Sequence, residues 1–212
     1  MGSRGSRNWN SKKVRDLRDK LRLSDLQKSV LVGKILGDGS LMPTLTGKSY
    51  RLQVEHQLKQ EEYVAWTADI FKDWVISGLR YSERNRSVRF RTISHPEITM
   101  MRKLFYLGKR KIIPKNIRKL LTHPLSIAVW FMDDGGVSSS KRAVTISTHC
   151  FSKKDNKIII DCLKKNFGIQ ANLNWDGKGS RLYIPVNNIA KFKQLVAPYI
   201  LPSMQYKLPL TP

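Results

Sequence analysis

The sequence predicts a mixed α/β fold of the α+β type, made of two pseudo-symmetric halves. In both halves, helix-like and strand-like apolar patterns follow the same order, which predicts a helix-strand-strand-helix-strand-strand-helix unit. The spacing of charged residues supports a repeat, because Asp38 and Asp134 are 96 residues apart and so are Lys111 and Lys207. In a lysine-rich chain one matched pair is weak support, and the matched order of elements strengthens it. A period of 96 residues is too long for a solenoid and indicates that one unit was duplicated.

The composition favours a globular protein with a polyanionic partner. Of the 212 residues, 41% are hydrophobic and 9% are aromatic, which allows a packed core and excludes a disordered polycation. The chain has 39 lysine and arginine residues against 16 acidic residues, a formal net charge of +23. Because the basic residues are spread along the chain and do not gather on one amphipathic helix, nucleic acid is a better partner than a membrane surface.

Several other classes are excluded. No run of about 18 apolar residues predicts a membrane span, and the N-terminus lacks the apolar stretch of a secretory signal. Cys150 and Cys162 form no CxxC pattern, which excludes a zinc ribbon and a disulfide framework. We therefore expect an intracellular, reducing compartment, either an organelle (mitochondrion or chloroplast) or a microbial cytoplasm.

Three segments are expected along the chain. Residues 1–23 form a basic N-terminal arm, which is either helical from Lys13 or a solvated tail. Residues 24–119 form the first half, and residues 120–212 form the second half.

The first half begins with a predicted helix over 25–38, for which Ser24 is the N-cap. Gly33 and Gly37 lie on one face of this helix. Since each glycine costs a helix about 1 kcal/mol relative to alanine, the pair predicts the close approach of another backbone. The patterns that follow predict a strand over 50–57, a helix over 60–74, a hairpin with arms 79–82 and 87–92, and a helix after Pro96.

The second half repeats this order. Its first helix begins near Pro124 and ends in a run from Phe131 to Gly136. The patterns that follow predict a strand over 143–148, a helix over 153–167, strands over 170–175 and 181–185, and a helix over 188–197.

An aspartate followed by glycine ends both helices that the repeat relates. Gly39 and Gly135 after Asp38 and Asp134 fit an ordinary helix C-cap. However, the helix dipole makes an aspartate there unfavourable by about 0.3–1 kcal/mol. If the two helices pack side by side, both carboxylates converge. Because Mg²⁺ prefers carboxylate and carbonyl oxygens, such a cluster predicts a divalent cation site.

The residues around these aspartates resemble a known motif. Leu31-Val32-Gly33-Lys34-Ile35-Leu36-Gly37-Asp38-Gly39 is similar to the nine-residue motif that names the LAGLIDADG homing endonucleases. Ile127-Ala128-Val129-Trp130-Phe131-Met132-Asp133-Asp134-Gly135 resembles a degenerate second copy. The run from Trp130 to Gly136 and the segment 204–209 resemble the intron-encoded, single-chain meganuclease branch. The resemblance covers residues 24–210 and implies antiparallel sheets that form a DNA-binding saddle, with the motif helices at the interface.

The resemblance also implies roles for individual residues. Asp38 and Asp134 would bind the metals that cut one strand each, and the carbonyls of Gly37 and Asp133 would add ligands. The matched basic residues that would lie near the scissile phosphates are Lys111 and Lys207. The implied ion is Mg²⁺, with Mn²⁺ or Ca²⁺ able to replace it for binding.

The sequence departs from the motif at two positions. Lys34 stands where the motif is usually apolar, which predicts looser packing of that helix. Asp133 precedes Asp134, but the following Gly135 favours Asp134 as the acidic residue of the motif.

The expected chemistry is phosphodiester hydrolysis, in which metals about 3.5–4 Å apart activate water and stabilise the leaving oxygen. The lysines would stabilise charge on the phosphate or help to position water. No histidine is needed as a general base. The four histidines have no metal-ligand spacing and are expected to be structural or DNA-facing: His56, His95, His123 and His149.

The polar faces of the predicted strands are the candidates for reading DNA, since a sheet fits the major groove, arginine pairs with guanine, and asparagine or glutamine pairs with adenine. An ordinary solvated sheet face is the alternative, which the charge and the resemblance make less favourable. Because the two faces differ, the target should be asymmetric. The candidates are Arg51, Gln53, Gln57, Arg80, Arg89 and Arg91 in the first half, and Gln170, Asn172, Asn174 and Arg181 in the second.

The sequence thus predicts a monomeric, Mg²⁺-dependent endonuclease that cuts a long, specific site in double-stranded DNA. Two alternatives stay open. One is an RNA maturase that helps a group I intron to fold, with intron RNA as the partner. The other is a DNA-binding regulator on an inactive nuclease scaffold, although both aspartates are present. Metal-dependent DNA cleavage separates these functions.

Overall fold

Two antiparallel sheets of the same topology, each packed against helices, form the described part of the chain. The structure, a computed structural model, describes residues 12–138, 143–177 and 179–209. One sheet has the strand order β1-β2-β4-β3 and the other has β7-β8-β10-β9. The order matches strand for strand, so the predicted pseudo-symmetric α+β fold is confirmed.

The first half follows the predicted helix-strand-strand-helix-strand-strand-helix order. A basic helix, α1 (Lys12–Lys20), precedes it, and residues 1–11 of the predicted arm lie outside the described residues. The elements are α2 (Asp25–Leu36), β1 (Ser40–Pro43), β2 (Tyr50–Gln57), α3 (Glu61–Ile70), β3 (Arg80–Ser82), β4 (Ser87–Arg91) and α4 (Pro96–Phe105).

A short connection joins the halves, and the second half repeats the order. The connection contains the hairpin β5 (Tyr106–Leu107) and β6 (Arg110–Lys111), followed by the one-turn helix α5 (Ile117–Leu120). The elements of the second half are α6 (Pro124–Asp134), β7 (Gly135–Val137), β8 (Ala143–Ser147), α7 (Lys153–Phe167), β9 (Asn172–Trp175), β10 (Ser180–Pro185) and α8 (Ile189–Val196).

Side-chain caps fix where several helices begin. Ser24 and Gln27 form a capping box at α2: the Ser24 hydroxyl accepts from the Gln27 N–H, and the Gln27 side chain accepts from the Ser24 N–H. Ser152 and Asp155 do the same at α7. The imidazoles of His95 and His123 accept from backbone N–H groups at the starts of α4 and α6, as expected of structural histidines.

The centre of the fold is the seam between α2 and α6. Every residue from Val30 to Leu36 in α2 and from Leu125 to Met132 in α6 is buried. These buried stretches are mostly apolar because each packs against its partner helix and also against the sheet of its own half. At the seam, the hydroxyl of Tyr63 on α3 donates to the carbonyl of Val129 on α6.

Some bounds differ from those that the sequence predicts. Helix α2 ends at Leu36, so Asp38 lies just beyond it. The predicted helix over 60–74 is divided into α3 and a short 3-10 turn, Lys72–Trp74. Strand β9 begins at Asn172, two residues later than predicted, because the N–H of Gln170 donates to the Asn188 side chain instead of to a strand.

The predicted boundary between residues 119 and 120 falls inside α5. This segment is bound to the second half, since the Asn166 amide on α7 donates to the carbonyls of Arg118 and Leu121. The division of the chain at this boundary remains a prediction. Across the described ranges, no helix combines the length and the apolar character that crossing a membrane requires.

Candidate active site

The candidate site lies where the C-terminal ends of α2 and α6 meet. Two glycines of α2 allow the close approach. A Cβ atom placed on Gly33 would lie 2.5 Å from the carbonyl oxygen of Ser126 and 2.7 Å from Cβ of Val129. A Cβ atom placed on Gly37 would lie 2.5 Å from Cβ of Asp133. The close helix contact that the glycine pair predicts is therefore present.

Asp133 reaches from the second half into the first. Its Oδ1 lies 2.8 Å from Nζ of Lys34, and its Oδ2 accepts from the backbone N–H of Asp38 at 3.0 Å. The side chains of Lys34 and Asp133 are both fully buried. The missing Cβ of Gly37 provides the space for this carboxylate, so both of its oxygens are used inside the protein.

Lys34 is an internal cation at the seam. Its ammonium group lies 3.2 Å from Nε2 of His56 and 3.7 Å from the centroid of the Tyr63 ring, in addition to the contact with Asp133. Burial lowers the pKa of Lys34, while the nearby Asp133 carboxylate opposes that shift. The sequence predicts looser packing at Lys34, but its side chain lies in a filled, charge-paired environment.

His56 on β2 completes this group. Its Nδ1 lies 3.8 Å from Oδ2 of Asp38, and its Nε2 lies 3.5 Å from Oδ1 of Asp133. One ligand atom from each of Asp38, His56 and Asp133 lies within 4.8 Å of the other two. Burial and the Lys34 charge lower the pKa of His56, which favours the neutral imidazole. His56 was expected to be structural or DNA-facing, yet it lies beside a predicted metal ligand.

Asp38 and Asp134 differ in their surroundings. The Asp38 side chain is 51% exposed. Burial, followed by the negative charges of Asp38 and Asp133, raises the pKa of Asp134 to about 7. No described residue forms a hydrogen bond or an ion pair with the Asp134 carboxylate. A largely buried carboxylate without such a partner, close to two others, fits a divalent cation, because the cation would offset their repulsion.

The two predicted lysines occupy related positions at the helix ends. Nζ of Lys111 on β6 donates to the carbonyls of Gly37, at 2.5 Å, and Gly39, at 2.9 Å. Nζ of Lys207 donates to the carbonyls of Met132 and Asp133, the latter at 3.1 Å. Burial lowers the pKa of both lysines. Each lysine thus lies at the negative end of the motif helix of its own half.

These contacts bear on the predicted carbonyl ligands. The carbonyls of Gly37 and Asp133 already accept hydrogen bonds from lysines. A carbonyl oxygen has two lone pairs, so each retains capacity for a second partner.

The predicted DNA-reading residues of the first half share the outer face of its sheet. The register places Gln53 opposite Arg91, and Arg89 opposite both Glu55 and Arg80. The residues that alternate with them along β2 and β4, such as Leu52 and Val88, are buried. Nε of Arg91 donates to Oε1 of Gln53 at 2.5 Å, and Arg89 lies 3.7 Å from Glu55. Gln57 is exposed and lines the same cavity as Asp38 and Lys207.

The outer face of the second sheet is less basic. Asn174 lies opposite Arg181, and Asn172 lies opposite Tyr183. Arg181 forms an ion pair with Asp176 at 2.8 Å. Gln170 is exposed but precedes the strand. The structure therefore distributes the predicted residues over two faces and gathers the predicted catalytic residues between them.

Comparison with known proteins identifies the family. The profile of the LAGLIDADG DNA endonuclease family matches residues 28–192 and so spans both motif helices and both sheets. The chain belongs to this family. As a LAGLIDADG protein it carries a motif helix in each half, α2 and α6, and the profile leaves α1 outside the match.

Several proteins resemble this LAGLIDADG chain along most of its length. A probable intron-encoded endonuclease 1 of Wickerhamomyces canadensis is 29% identical, over 94% of this chain and 91% of its own length. A protein RecA of Mycolicibacterium chitae is 30% identical over 88% of this chain and 47% of its own length. The chain thus spans about half the length of such RecA relatives. A cytochrome b mRNA maturase bI2 of Debaryomyces hansenii is 25% identical, over 84% of this chain and 72% of its own length.

A solved structure resembles the whole fold. The homing endonuclease I-WcaI, bound to its DNA recognition sequence, superposes with a TM-score of 0.84 and is 29% identical. The match covers 96% of this chain and 95% of that chain. The similarity extends beyond the family profile and includes the arrangement of both sheets.

Proposed function

We propose that this protein is a homing endonuclease that cuts both strands of a long, asymmetric DNA site by hydrolysis of phosphodiester bonds, with Mg²⁺ as cofactor. We also propose that it acts as a monomer, with residues 24–119 and 120–212 as its two halves. The observation that carries the proposal is the meeting of Asp38, Asp133 and Asp134 at the seam of a chain whose net charge is +23. A cluster of acids within a basic protein suits a cation that works on a bound polyanion.

Asp38 and Asp134 are the residues that would hold the metal ions. Asp38 is accessible, and the Asp134 carboxylate has no hydrogen-bond partner among the described residues. Bound divalent cations would supply Lewis-acid activation of water and stabilise the leaving oxygen. The carbonyls of Gly37 and Asp133 are candidate additional ligands.

Asp133 and His56 act differently in this proposal. Because the Asp133 carboxylate is bound to Lys34 and to the Asp38 N–H, we assign it a positioning role, which fixes the backbone beside Asp38. His56 contacts Asp38 and Asp133 through its two ring nitrogens and restricts how Asp38 can turn.

Lys111 and Lys207 would act on the phosphates. Each ammonium group is held at a helix C-terminus, beside the position assigned to a metal ligand. From there a lysine can stabilise negative charge as it develops on a phosphate, or hold a water molecule by a hydrogen bond.

A cleavage assay tests the function. DNA sites that the protein cuts are selected from a random library, and one site is placed in a plasmid. With Mg²⁺ the protein should convert the plasmid to the linear form, and without a divalent ion it should not. Failure to cut any DNA over a range of Mg²⁺ and Mn²⁺ concentrations would contradict the proposal.

Variants of the aspartates test the site. Asp38→Asn and Asp134→Asn should each abolish double-strand cutting while the DNA dissociation constant changes little, because a carboxylate is lost and the side-chain shape is kept. Asp69→Asn, at an exposed position on α3, is the matched control. Cutting at the wild-type rate by either seam variant would refute the assignment.

Variants of the two lysines test the roles that the proposal gives them at the phosphates. Lys111→Ala or Lys207→Ala should slow cleavage more than it weakens binding, because each ammonium group is assigned to the reacting phosphate. Single-turnover cleavage rates and dissociation constants, measured on the same DNA, separate the two effects. Loss of binding alone would assign these lysines to DNA docking.

An RNA maturase is the second candidate, supported by the similarity to the maturase of Debaryomyces hansenii. A maturase would stimulate splicing of its intron, and this stimulation would survive loss of both seam aspartates. The two free cysteines, one exposed and one buried, are consistent with the interior of an organelle or a microbial cell as the place where either function is carried out.

A further inference from the structure

Four arginines converge on one cavity at the end of the first sheet that lies away from the seam. Arg51 on β2, Arg80 on β3 and Arg91 on β4 come from the outer face of the sheet, and Arg18 comes from α1. The cavity has a volume of about 530 Å³. The rest of the lining comes mostly from hydroxyl side chains in the loops around it, together with two apolar side chains: Thr44, Thr46, Ser49, Ser77 and Ser94, with Leu45 and Ile93.

None of the four arginines forms an ion pair with a carboxylate of the described residues. The other arginines on the two sheet faces differ, since Arg89 lies beside Glu55 and Arg181 is paired with Asp176. The Nε atoms of Arg18 and Arg51 are buried and have no hydrogen-bond partner. Unpaired donors of this kind cost free energy unless an acceptor binds them.

The arginine charges on the sheet face also repel one another. Burial lowers the pKa of the Arg91 guanidinium, and the charges of Arg51, Arg89 and Arg80 lower it further. An oxyanion in the cavity would relieve this repulsion and accept from several guanidinium groups. The planar, forked guanidinium group matches the oxygens of a phosphate and can bind two of them at once. A cavity lined by arginines therefore suits a phosphate group better than a cavity lined by lysines would.

The position of the cavity relates it to the seam. On β2, Gln57 lies at the end near Asp38, and Arg51 lies six residues away at the other end. At about 3.3 Å per residue, the cavity is about 20 Å from the candidate active site. DNA that lies along the sheet would pass it about six base pairs from the cut, because base pairs are about 3.4 Å apart.

Helix α1 brings the fourth arginine from outside the matched family profile. The Nε2 of the His95 ring donates to the carbonyl of Arg18 at 3.1 Å, because Nδ1 of that ring already accepts from the Glu97 N–H. This contact holds α1 against the start of α4. Helix α1 is thereby given a defined place at the edge of the DNA-facing sheet.

We propose that Arg18, Arg51, Arg80 and Arg91 form a pocket for one backbone phosphate of the DNA, on the flank of the site that the first half covers. The proposal rests on the proposed DNA-binding function and adds a contact to it. Arg51, Arg80 and Arg91, which the sequence predicts to read bases, bind the backbone in this arrangement. The pocket therefore contributes affinity and register, and it carries no base preference.

The test measures how DNA binding depends on salt. Arg18→Gln should reduce the slope of log K against log salt by about 0.9, because one phosphate contact is lost. Arg80→Gln should do the same, as a second variant of the pocket. Arg15→Gln removes the same charge from an exposed position of α1 and should leave the slope close to that of the wild type. Melting temperatures of the three variants check that each is folded.

A modified DNA locates the phosphate. In a series of duplexes, each carries one neutral methylphosphonate in place of a phosphate. At one position on the first-half flank, the modification should weaken binding by the wild type and have no further effect on Arg18→Gln. The bases preferred in a selection from a random library should be the same for both proteins.

The outcomes distinguish this proposal from the proposed function. Equal slopes for wild type, Arg18→Gln and Arg80→Gln, on a DNA that the wild type cuts, would overturn the pocket alone. A slope difference on duplex RNA with none on duplex DNA would assign the pocket to RNA and overturn it as a DNA contact. A changed base preference in Arg18→Gln would identify a base reader instead. If the wild type cuts no DNA but the slope difference is present, the pocket stands and the cleavage function fails.

Discussion

At the scale of single residues, the three acids of the seam have three different environments. Asp38 is half exposed, Asp133 is buried and paired with Lys34, and Asp134 is largely buried without a hydrogen-bond partner among the described residues. The difference comes from tertiary contacts, since Lys34, which pairs with Asp133, is 99 positions away in the sequence. It is the basis of the ligand roles proposed for Asp38 and Asp134 and of the positioning role proposed for Asp133.

The environment of Asp134 predicts a pH dependence of stability. Its pKa is about 7 in the folded protein against an ordinary value of 3.8, so the folded state binds the proton more tightly than the unfolded state. In the absence of metal, the free energy of unfolding should therefore fall as the pH rises from about 4 to about 7. Asp134→Asn removes this loss, and in EDTA at pH 8 it should melt at a higher temperature than the wild type. At pH 4 the two should melt at similar temperatures.

Metal provides the complementary measurement. Adding Mg²⁺ at pH 8 should raise the melting temperature of the wild type, because the ion binds the folded state. It should raise that of Asp134→Asn much less. The exposed control Asp69→Asn should behave as the wild type does in every condition. A melting temperature of Asp134→Asn that never exceeds that of the wild type would contradict the assignment.

The Lys34–Asp133 pair predicts a strong coupling between the two side chains. Lys34→Met leaves a buried carboxylate without its partner and should lower the free energy of unfolding by about 3–5 kcal/mol. The double variant Lys34→Met/Asp133→Asn should recover most of this loss, since the neutral amide can still accept from the Asp38 N–H. Urea unfolding measures the free energy of unfolding of the single variant and of the double variant.

Lys28→Met is the control for this cycle. Lys28 pairs with Asp25 on the surface, and its loss should cost less than about 1 kcal/mol. If the double variant is less stable than Lys34→Met, the pair is not the reason for the loss.

How far the sequence predicts the site can be seen at these residues. The positions of Asp38, Asp134, Lys111 and Lys207 follow from the repeat, and all four lie at the ends of the motif helices. The burial of His56 could also have been predicted, because it continues the inward alternation of Leu52 and Val54 on β2. Its contact with Asp38 could not, since it depends on how β2 lies against the end of α2. The Lys34–Asp133 pair joins residues 99 positions apart, and two isolated charged residues give no signal of such a contact.

At the scale of elements, the packing of α2 on α6 depends on small side chains. Gly33→Ala would place a methyl group against the backbone of Ser126 and the side chain of Val129, both of which are buried. We expect a loss of about 1–3 kcal/mol, because the opposing backbone cannot move without parting the helices. Gly136→Ala is the control, since nothing lies within 4 Å of its added Cβ, and its effect should stay within about 0.5 kcal/mol. Thermal unfolding compares the two, and equal losses would contradict the close contact at Gly33.

The long, strongly patterned elements are the ones that the sequence predicts well. Helix α7 has the predicted bounds, because its capping box and the glycine that follows it are both local signals. Strands β1 and β7 have no separate signal, since three or four residues are too few to show alternation. The break after α3 depends on tertiary contacts, as the carbonyl of Trp74 accepts from the N–H of Ile93 beyond β4.

At the scale of the whole molecule, the pseudo-symmetry of the backbone is not matched by the side chains. The outer face of the first sheet carries Arg51, Arg80, Arg89 and Arg91, whereas Arg181 on the second sheet is accompanied by Asn172, Asn174 and Tyr183. The seam is asymmetric as well, since Gly37 of one helix faces Asp133 of the other. Two halves with one backbone plan thus present different chemical surfaces on their outer faces.

This asymmetry predicts which DNA the protein prefers. Two palindromic duplexes can be built from the selected site. One contains two inverted copies of the first half-site, and the other contains two inverted copies of the second half-site. Because each palindrome matches only one of the two sheets, several base pairs over the other sheet are mismatched. Each mismatch should cost about 1–3 kcal/mol, so both palindromes should bind and be cut far less well than the native site. The salt dependence should be similar for the two palindromes, because contacts with the phosphate backbone do not depend on the base sequence. Competition binding in a salt series measures both effects, and equal affinity for either palindrome and the native site would show that the halves do not read different sequences.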